Sequence, residues 1–136
     1  MTTNILNSDP PEEQISNLLT LIDQPARIQI LLILGAQDAC VCHLEAVLGE
    51  RQARISQHLM DLRKAGLVTT RRDGRNIYYH LERPEVVTIL QQTAKLTGSN
   101  PESLQALTTR PVKNCPCPQC NSGTDSNLNC DDAQSS

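Results

Sequence analysis

Residues 40–66 read CVCHLEAVLGERQARISQHLMDLRKAG and carry two short helical patterns with a glycine between them. In residues 40–48 and again in residues 52–65, apolar side chains recur at the three- and four-residue spacing of one helix face. Gly49 and Gly66 follow the two patterns, as glycine commonly does after the last turn of a helix. Two short helices joined by a tight turn predict a helix-turn-helix unit.

The period of the sequence changes after the second helical pattern. Residues 67–72 and 75–81 are rich in β-branched and aromatic residues, and Asp73-Gly74 lies between them. An Asp-Gly pair between two β-prone runs predicts a β-hairpin. A hairpin directly after the second helix forms a wing, so the predicted fold is mainly α with a β-hairpin wing (α+β), a winged helix-turn-helix.

Further helices are predicted on both sides of this unit. Residues 12–22 carry apolar side chains at helical spacing, and Pro84 precedes a last amphipathic helix over about residues 85–96. Pro25 opens a helix over about residues 26–34 that is apolar nearly all round, which predicts the buried centre of the domain. The chain has two tyrosines and no Phe or Trp, so this small aliphatic core favours completion by a second copy, a homodimer.

Charge is distributed unevenly along the chain. The 136 residues have a net charge of −3, yet residues 51–83 hold eight basic and three acidic residues, a local charge of +5. A basic segment in an acidic protein is typical of a surface that attracts a phosphate backbone, although a solvated charged face has the same composition. Together with the helix-turn-helix pattern, the basic segment favours double-stranded DNA as the partner.

The composition also predicts a domain division. Residues 1–11 are interpreted as a flexible arm, residues 12–100 as the DNA-binding and dimerisation domain, and residues 101–136 as a flexible tail. Residues 102–107 have room for one or two helical turns. Four of the six cysteines lie in the tail, at positions Cys115, Cys117, Cys120 and Cys130.

Neither a membrane span nor a secretion signal is predicted. No apolar run reaches the ~18–20 residues that a transmembrane helix needs, and the N-terminus lacks the basic start and apolar stretch of a signal peptide. The expected location is therefore the cytoplasm, with no membrane partner. In that reducing compartment, cysteines favour metal binding or redox chemistry over a disulfide framework.

Two groups of polar residues are the predicted DNA contacts. The first group lies early on the second helix of the unit, where such helices meet base edges, and comprises Gln52, Arg54, Ser56 and Gln57. Arg pairs with guanine and Gln with adenine, whereas Ser usually contacts phosphate. The second group surrounds the wing tip and comprises Arg71, Arg72, Arg75 and Asn76. His58 is interpreted as a packed or hinge residue and not as a ligand.

Cys40 and Cys42 stand where the first helix of the unit begins. In a regular helix, residues two apart point roughly 200° away from each other, so both thiols can bind one ion only if the first turn is extended or unwinds. A helix N-terminus permits this, because its first N–H groups lack intrahelical partners, and it favours the thiolate. Two buried structural cysteines are the alternative.

These residues resemble a known family. The segments 24–31, 40–44 and 55–68, followed by the wing at residues 71–81, are similar to the ArsR/SmtB metal-responsive repressors, over roughly residues 12–97. The resemblance implies a dimeric winged-helix repressor that releases its operator, an inverted repeat, when a metal or metalloid binds.

The resemblance also implies where the inducer binds. Cys40 and Cys42 are similar to the thiolate pair of the arsenite-sensing and cadmium/lead-sensing branches. Arsenite sensors often have a further cysteine three residues after the second cysteine of this pair, and at that position this chain has Glu45. A second family site, on the last helix, uses histidines and carboxylates for zinc, and residues 85–97 contain no histidine.

Because Glu45 replaces the third cysteine of the arsenite sensors, the tail cysteines are candidates for the further ligands. Cys115, Cys117 and Cys120 are interpreted as an arm that adds sulfur to the Cys40–Cys42 pair, and the role of Cys130 stays open. Soft thiolates select soft ions. Three thiolates suit arsenite or antimonite, the predicted inducers, and four suit cadmium, lead or zinc, the alternative set. A tail that binds metal independently is the competing hypothesis.

Two other functional classes, a thiol-based redox protein and a metal-buffering protein, are alternatives to a repressor. A thiol oxidoreductase or redox sensor would use the Cys-x-x-Cys of Cys117 and Cys120, but the βαβ setting typical of that motif is missing from the pattern. A metal-buffering protein would have no use for a helix-turn-helix unit. The sequence therefore favours a metalloid-responsive repressor over an enzyme.

Overall fold

The computed structural model describes residues 9–108 of the chain, so most of the predicted tail, with its four cysteines, and most of the predicted arm lie outside the described residues. Within that range six helices and two strands follow one another. Their bounds are α1 Pro11–Leu21, α2 Pro25–Ala36, α3 Val41–Leu48, α4 Gln52–Lys64, β1 Val68–Asp73, β2 Asn76–Leu81, α5 Glu85–Leu96 and α6 Pro101–Thr108. The winged helix-turn-helix expected from the sequence is confirmed, with each element within two residues of its predicted ends.

Helix α2 forms the centre of the core, as its all-round apolar sequence predicts. Five consecutive side chains from Ile30 to Leu34 are buried. The predicted helix ended at about residue 34, whereas α2 continues through Gly35 to Ala36. A Cβ atom at Gly35 would lie 2.6 Å from Cγ2 of Val87, so the absence of a side chain allows α2 and α5 to approach closely.

Helices α3 and α4 form the helix-turn-helix unit. Gly49 follows α3 in the left-handed conformation with a φ of 71°, which glycine adopts without the strain of a side chain. The inner face of α4 is formed by Ile55, Leu59 and Leu62, all fully buried as expected. This packing leaves the opposite face of α4 at the surface.

Strands β1 and β2 form the antiparallel wing. Asp73 pairs with Asn76, so the turn consists of Gly74 and Arg75. The sequence interpretation, which placed the turn at Asp73-Gly74, is therefore wrong by one residue. The actual turn puts Gly74, with a φ of 63°, at the first of its two positions, as hairpins with two-residue loops require. Arg75 consequently lies at the wing tip.

An extended segment between α2 and α3 pairs with the wing. The amide N of Ala39 donates to the carbonyl oxygen of Tyr79 at 3.1 Å, and the amide N of Tyr79 donates to the carbonyl oxygen of Ala39 at 2.7 Å. The N-cap residue of α3 is Cys40, and no side chain caps the helix. The carboxylate of Asp38, in the same segment, contacts the wing.

Helices α1, α5 and α6 complete the described structure. Only half of the apolar stripe predicted for α1 faces the core, because Ile15 and Leu19 are 58% and 50% exposed. On α5, Leu96 is 86% exposed. Leu104 of α6 packs against the core, and the domain boundary after residue 100 stays a prediction.

Among the described residues, no single helix is both long and apolar enough to cross a bilayer, and only α1 and α2 together, which meet at a bend of 94°, reach that length and composition.

Candidate DNA-binding face and thiol pair

The outer face of α4 presents the first group of predicted DNA contacts. Gln52, Arg54 and Gln57 are exposed, and Ser56 is half-buried. The Arg54 side chain is 69% exposed and lies 3.6 Å from a carboxylate oxygen of Glu50. Such a surface ion pair contributes little to stability, so the guanidinium of Arg54 can separate from Glu50 to contact a base or a phosphate.

The wing presents the second group. Arg71, Arg72 and Arg75 are exposed, whereas Asn76 is half-buried. The Oδ1 atom of Asn76 is buried and has no hydrogen-bond partner among the described residues. The guanidinium of Arg71 lies over the ring of Tyr78, 5.2 Å from its centroid. Three exposed cations on a two-stranded ribbon are suited to phosphate contact, the position-fixing part of DNA recognition.

A buried cluster that the sequence analysis missed fixes α4 against α2. Arg27 donates from Nε to Nδ1 of His58 at 3.1 Å, from Nη1 to the carbonyl oxygen of Leu21 at 2.8 Å, and from Nη2 to Asp61. We call Arg27, His58 and Asp61 the buried cluster. The detectable signal was Arg27 itself, because a charged residue in an almost wholly apolar helix must find partners.

The protonation state of His58 follows from this environment. Burial of the imidazole, with smaller effects from the guanidinium groups of Arg27 and Arg54, lowers the pKa of His58 below its usual 6.5, and Asp61 and Glu50 act in the opposite direction. A neutral ring is also what the hydrogen bond from Arg27 requires, since Nδ1 accepts it. His58 is thus a packed residue, as expected.

The thiol pair lies at the start of α3. Cys40 is fully buried and Cys42 is 5% exposed. Cys40 stands just before the helix in an extended conformation, with φ −89° and ψ 167°, and Cys42 is the second helical residue. The two Sγ atoms lie 2.9 Å apart. The Cys-x-Cys spacing thus brings both sulfurs together without any unwinding of α3, because Cys40 already lies outside the helix.

The described residues supply only part of a metal site. Between residues 9 and 108, no three His, Cys, Asp or Glu side chains are grouped closely enough to hold a metal ion. Glu45, one helical turn after Cys42, has a buried Oε2 atom with no hydrogen-bond partner among these residues. Cys115, Cys117, Cys120 and Cys130 lie outside the described residues. Two thiolates fit a soft ion chemically but require at least one further ligand.

This fold and its basic face define a winged helix-turn-helix DNA-binding protein, and comparison with known proteins specifies the family. The family model described as bacterial regulatory protein, arsR family, matches residues 24–70. The arsenic resistance transcriptional regulator ArsR2 of Pseudomonas putida is 33% identical over 106 residues, which cover 72% of this chain and 91% of that protein.

Two further relatives extend the comparison. The transcriptional repressor SmtB homolog of Synechocystis is 32% identical over 82 residues, or 60% of this chain, and the match spans 62% of that protein's length. The crystal structure of NolR from Sinorhizobium fredii has a TM-score of 0.59 and 31% identity, and the match covers 70% of this chain and all of that chain.

The chain therefore belongs to the ArsR family of bacterial regulatory proteins and is a transcriptional repressor of the ArsR/SmtB type. The proteins of this family are regulators and not enzymes, so the oxidoreductase hypothesis is excluded on these grounds.

Proposed function

We propose that this repressor is metalloid-responsive: it binds an inverted-repeat operator as a cytoplasmic homodimer and releases it when arsenite or antimonite binds the cysteine thiolates. The observation that carries the proposal is the 2.9 Å approach of the Sγ atoms of Cys40 and Cys42 at the start of α3. Cys42 lies in α3, which packs against the recognition helix α4, and Cys40 is the N-cap residue immediately before that helix.

The chemistry of the donors supports a soft ion. Thiolates discriminate strongly against magnesium and calcium, which prefer oxygen ligands. Cys115, Cys117 and Cys120 are the proposed source of the missing sulfur. One tail thiolate would complete a three-sulfur site suited to arsenite or antimonite. Two would complete a four-sulfur site suited to cadmium, lead or zinc, the alternative inducers. The similarity to a regulator named for arsenic resistance supports arsenite.

The proposed DNA face follows from exposure and charge. Gln52, Arg54 and Gln57 would contact base edges from α4, with Ser56 on a phosphate. Arg71, Arg72, Arg75 and Asn76 would contact the backbone or the minor groove from the wing. Since the buried cluster and the apolar inner face fix α4 to α2, the recognition residues are presented on a rigid support.

Homodimer formation is supported by apolar side chains that the described part of one chain leaves uncovered. The large exposed apolar residues of α1 and α5 are Ile15, Leu19, Ile89 and Leu96. A second copy of the chain would bury them, and two recognition helices related by a two-fold axis require an inverted repeat with half-sites about one helical turn apart.

The proposal is tested by operator binding with metals added. A duplex selected from a random-sequence library by the full-length reduced protein serves as operator, and its affinity is measured with arsenite, antimonite, cadmium, lead and zinc in parallel. We expect an inverted repeat, and release at the lowest concentration by arsenite or antimonite. Release by cadmium, lead or zinc alone would favour the alternative, and no release by any of them would contradict the proposal.

A further inference from the structure

A second cluster of polar side chains connects the wing to the segment that precedes the thiol pair. Oδ1 of Asp38 lies 2.7 Å from Nδ1 of His80, and Oδ2 lies 3.4 Å from Nη2 of Arg71. We call Asp38, Arg71 and His80 the exposed cluster. Its members come from three different positions of one small sheet: His80 from β2, Arg71 from β1, and Asp38 from the extended segment beside β2.

The exposed cluster adjoins the thiol pair along the chain. Asp38 precedes Cys40 by two residues, and Ala39 between them pairs with Tyr79 through two backbone hydrogen bonds. In an antiparallel pairing centred on Ala39 and Tyr79, Asp38 falls opposite His80, and Cys40 falls opposite Tyr78. Arg71 pairs with Tyr78 in the next strand. Cys40 and the wing cation Arg71 therefore lie in one row across the same sheet, with Tyr78 between them.

We propose that Asp38 is a positioning residue that transmits occupancy of the thiol pair to the wing by holding Arg71 and His80. This inference rests on the proposed function, because it assigns the route by which that function's inducer weakens DNA binding. Asp38 is neither a metal ligand nor a DNA contact in this scheme. Its carboxylate competes with DNA phosphate for the guanidinium of Arg71.

The separation of the two sulfurs indicates why occupancy would move this segment. An ion bound by both thiolates would hold the two sulfurs farther apart than the 2.9 Å at which they lie here, because each sulfur would be bonded to the ion and not to the other sulfur. Cys42 is fixed within α3, whereas Cys40 belongs to the extended segment. The displacement therefore falls on the side of Cys40, which is the side connected to β2.

The partial exposure of the exposed cluster suits the transmission of a change from the thiol pair to the wing. The Arg71 and His80 side chains are 55% and 51% exposed, and that of Asp38 is 27% exposed. Ion pairs at the surface are weak and readily exchanged. A small shift of Asp38 can therefore change the equilibrium of the Arg71 guanidinium between this carboxylate and a DNA phosphate, without unfolding the wing.

The test compares Asp38→Ala and Asp38→Asn with the parent, and Glu82→Gln is the matched control. Glu82 is exposed near the same strands, and its carboxylate accepts a hydrogen bond from Oγ1 of Thr69 at 3.5 Å. The control therefore removes one negative charge from the wing but leaves the connection to Cys40 intact. Cadmium is the probe, and thiolate-to-metal charge-transfer absorption reports directly whether the full-length reduced protein has bound it.

Two properties are measured without cadmium and after cadmium has bound. The first is the ratio of operator affinities without and with cadmium, expected at about 5–150-fold for the parent and for Glu82→Gln. The second is hydrogen exchange of residues 68–81 in the DNA-free protein, expected to change on cadmium binding in the same two proteins. In both Asp38 variants, the affinity ratio falls below about threefold and the exchange response of the wing is lost, while the charge-transfer absorption stays.

The outcomes separate this inference from the function on which it rests. Asp38 variants that keep the parent's ratio and exchange response overturn the coupling role alone, as does loss of the charge-transfer absorption, which would make Asp38 part of the binding site. A parent that binds cadmium and changes its wing exchange, but keeps its operator with cadmium and also with arsenite, overturns the proposed function alone. A parent with no response to either ion in any readout overturns both. If Asp38→Ala does not fold, Asp38→Asn decides.

Discussion

Two clusters of the same three residue types lie beside the two DNA-contacting elements, and they differ in burial. The buried cluster of Arg27, His58 and Asp61 supports α4, with Arg27 10% and Asp61 30% exposed at their side chains. The exposed cluster supports the wing, and there the two basic side chains are more than half exposed. Charged groups out of water must stay paired, whereas exposed pairs exchange with solvent at little cost.

This difference in burial assigns different roles to identical chemistry. The buried cluster is suited to holding the recognition helix in one orientation, because separating its members would strand polar groups inside the protein. The exposed cluster is suited to adjustment, because several arrangements of its side chains have similar free energies. A repressor that reads a sequence and also responds to an inducer has a use for both.

The largest expected effect is on stability, from breaking the buried cluster. Arg27→Met preserves side-chain length but removes the donor to His58 and the cation paired with Asp61, so we expect the free energy of unfolding to fall by about 2–3 kcal/mol. Arg71→Met in the exposed cluster is the matched control, with an expected loss below about 1 kcal/mol. Urea denaturation measures both, and equal losses would show that burial does not distinguish the clusters.

The second expected effect is on base specificity. Because α4 is held rigidly, Arg54→Ala should remove discrimination at one base pair of each half-site, worth about 1–3 kcal/mol. Arg75→Ala at the wing tip should instead weaken binding to all duplexes alike and lower the salt dependence by about one counterion per wing. Fluorescence anisotropy on operator variants at several salt concentrations tests this, and unchanged binding of both variants would place the DNA on another surface.

A third, smaller effect concerns pH. The pKa of His58 is lowered by folding, so the unfolded chain takes up a proton at this residue before the folded protein does. Stability from this residue is complete above the unfolded pKa of about 6.5 and is lost as the pH falls through the folded pKa. The free energy of unfolding should therefore fall from pH 7 to pH 5.

His58→Gln keeps an acceptor for Arg27 but cannot titrate, so its free energy of unfolding should depend less on pH over that range. Urea titrations of parent and variant at matched pH values give the comparison. An identical slope for both proteins would mean that the protonation of His58 is not linked to folding.

Local patterns predicted the fold because each element depends on neighbours in the sequence. Helical spacing located α1 to α5, and the Asp-Gly pair located the hairpin. The errors were also local: the helix predicted over about residues 26–34 ended before Gly35, because the sequence alone does not reveal Val87 packed against this glycine. The hairpin turn was misplaced by one residue because Asp-Gly and Gly-Arg are both acceptable turn pairs.

The candidate site was predictable only in part. The positions of Cys40 and Cys42 followed from their spacing, and the exposed residues of α4 followed from helix geometry. Both charged clusters were missed, since Arg27 and His58 are 31 residues apart and Asp38 and His80 are 42 apart. Such pairings depend on tertiary packing, which single-sequence patterns do not encode. The predicted ligands Cys115, Cys117 and Cys120 lie outside the described residues and remain predictions.

The central claim is that the thiol pair senses the inducer, and the double variant Cys40→Ser, Cys42→Ser tests it most directly. Serine preserves the size of the side chain but is a poor ligand for a soft ion. The measurement is operator affinity of parent and variant with and without saturating arsenite. The account predicts parental affinity without arsenite and the same affinity with it, a repressor that stays bound. Release of the variant by arsenite to the parent's extent would contradict the claim.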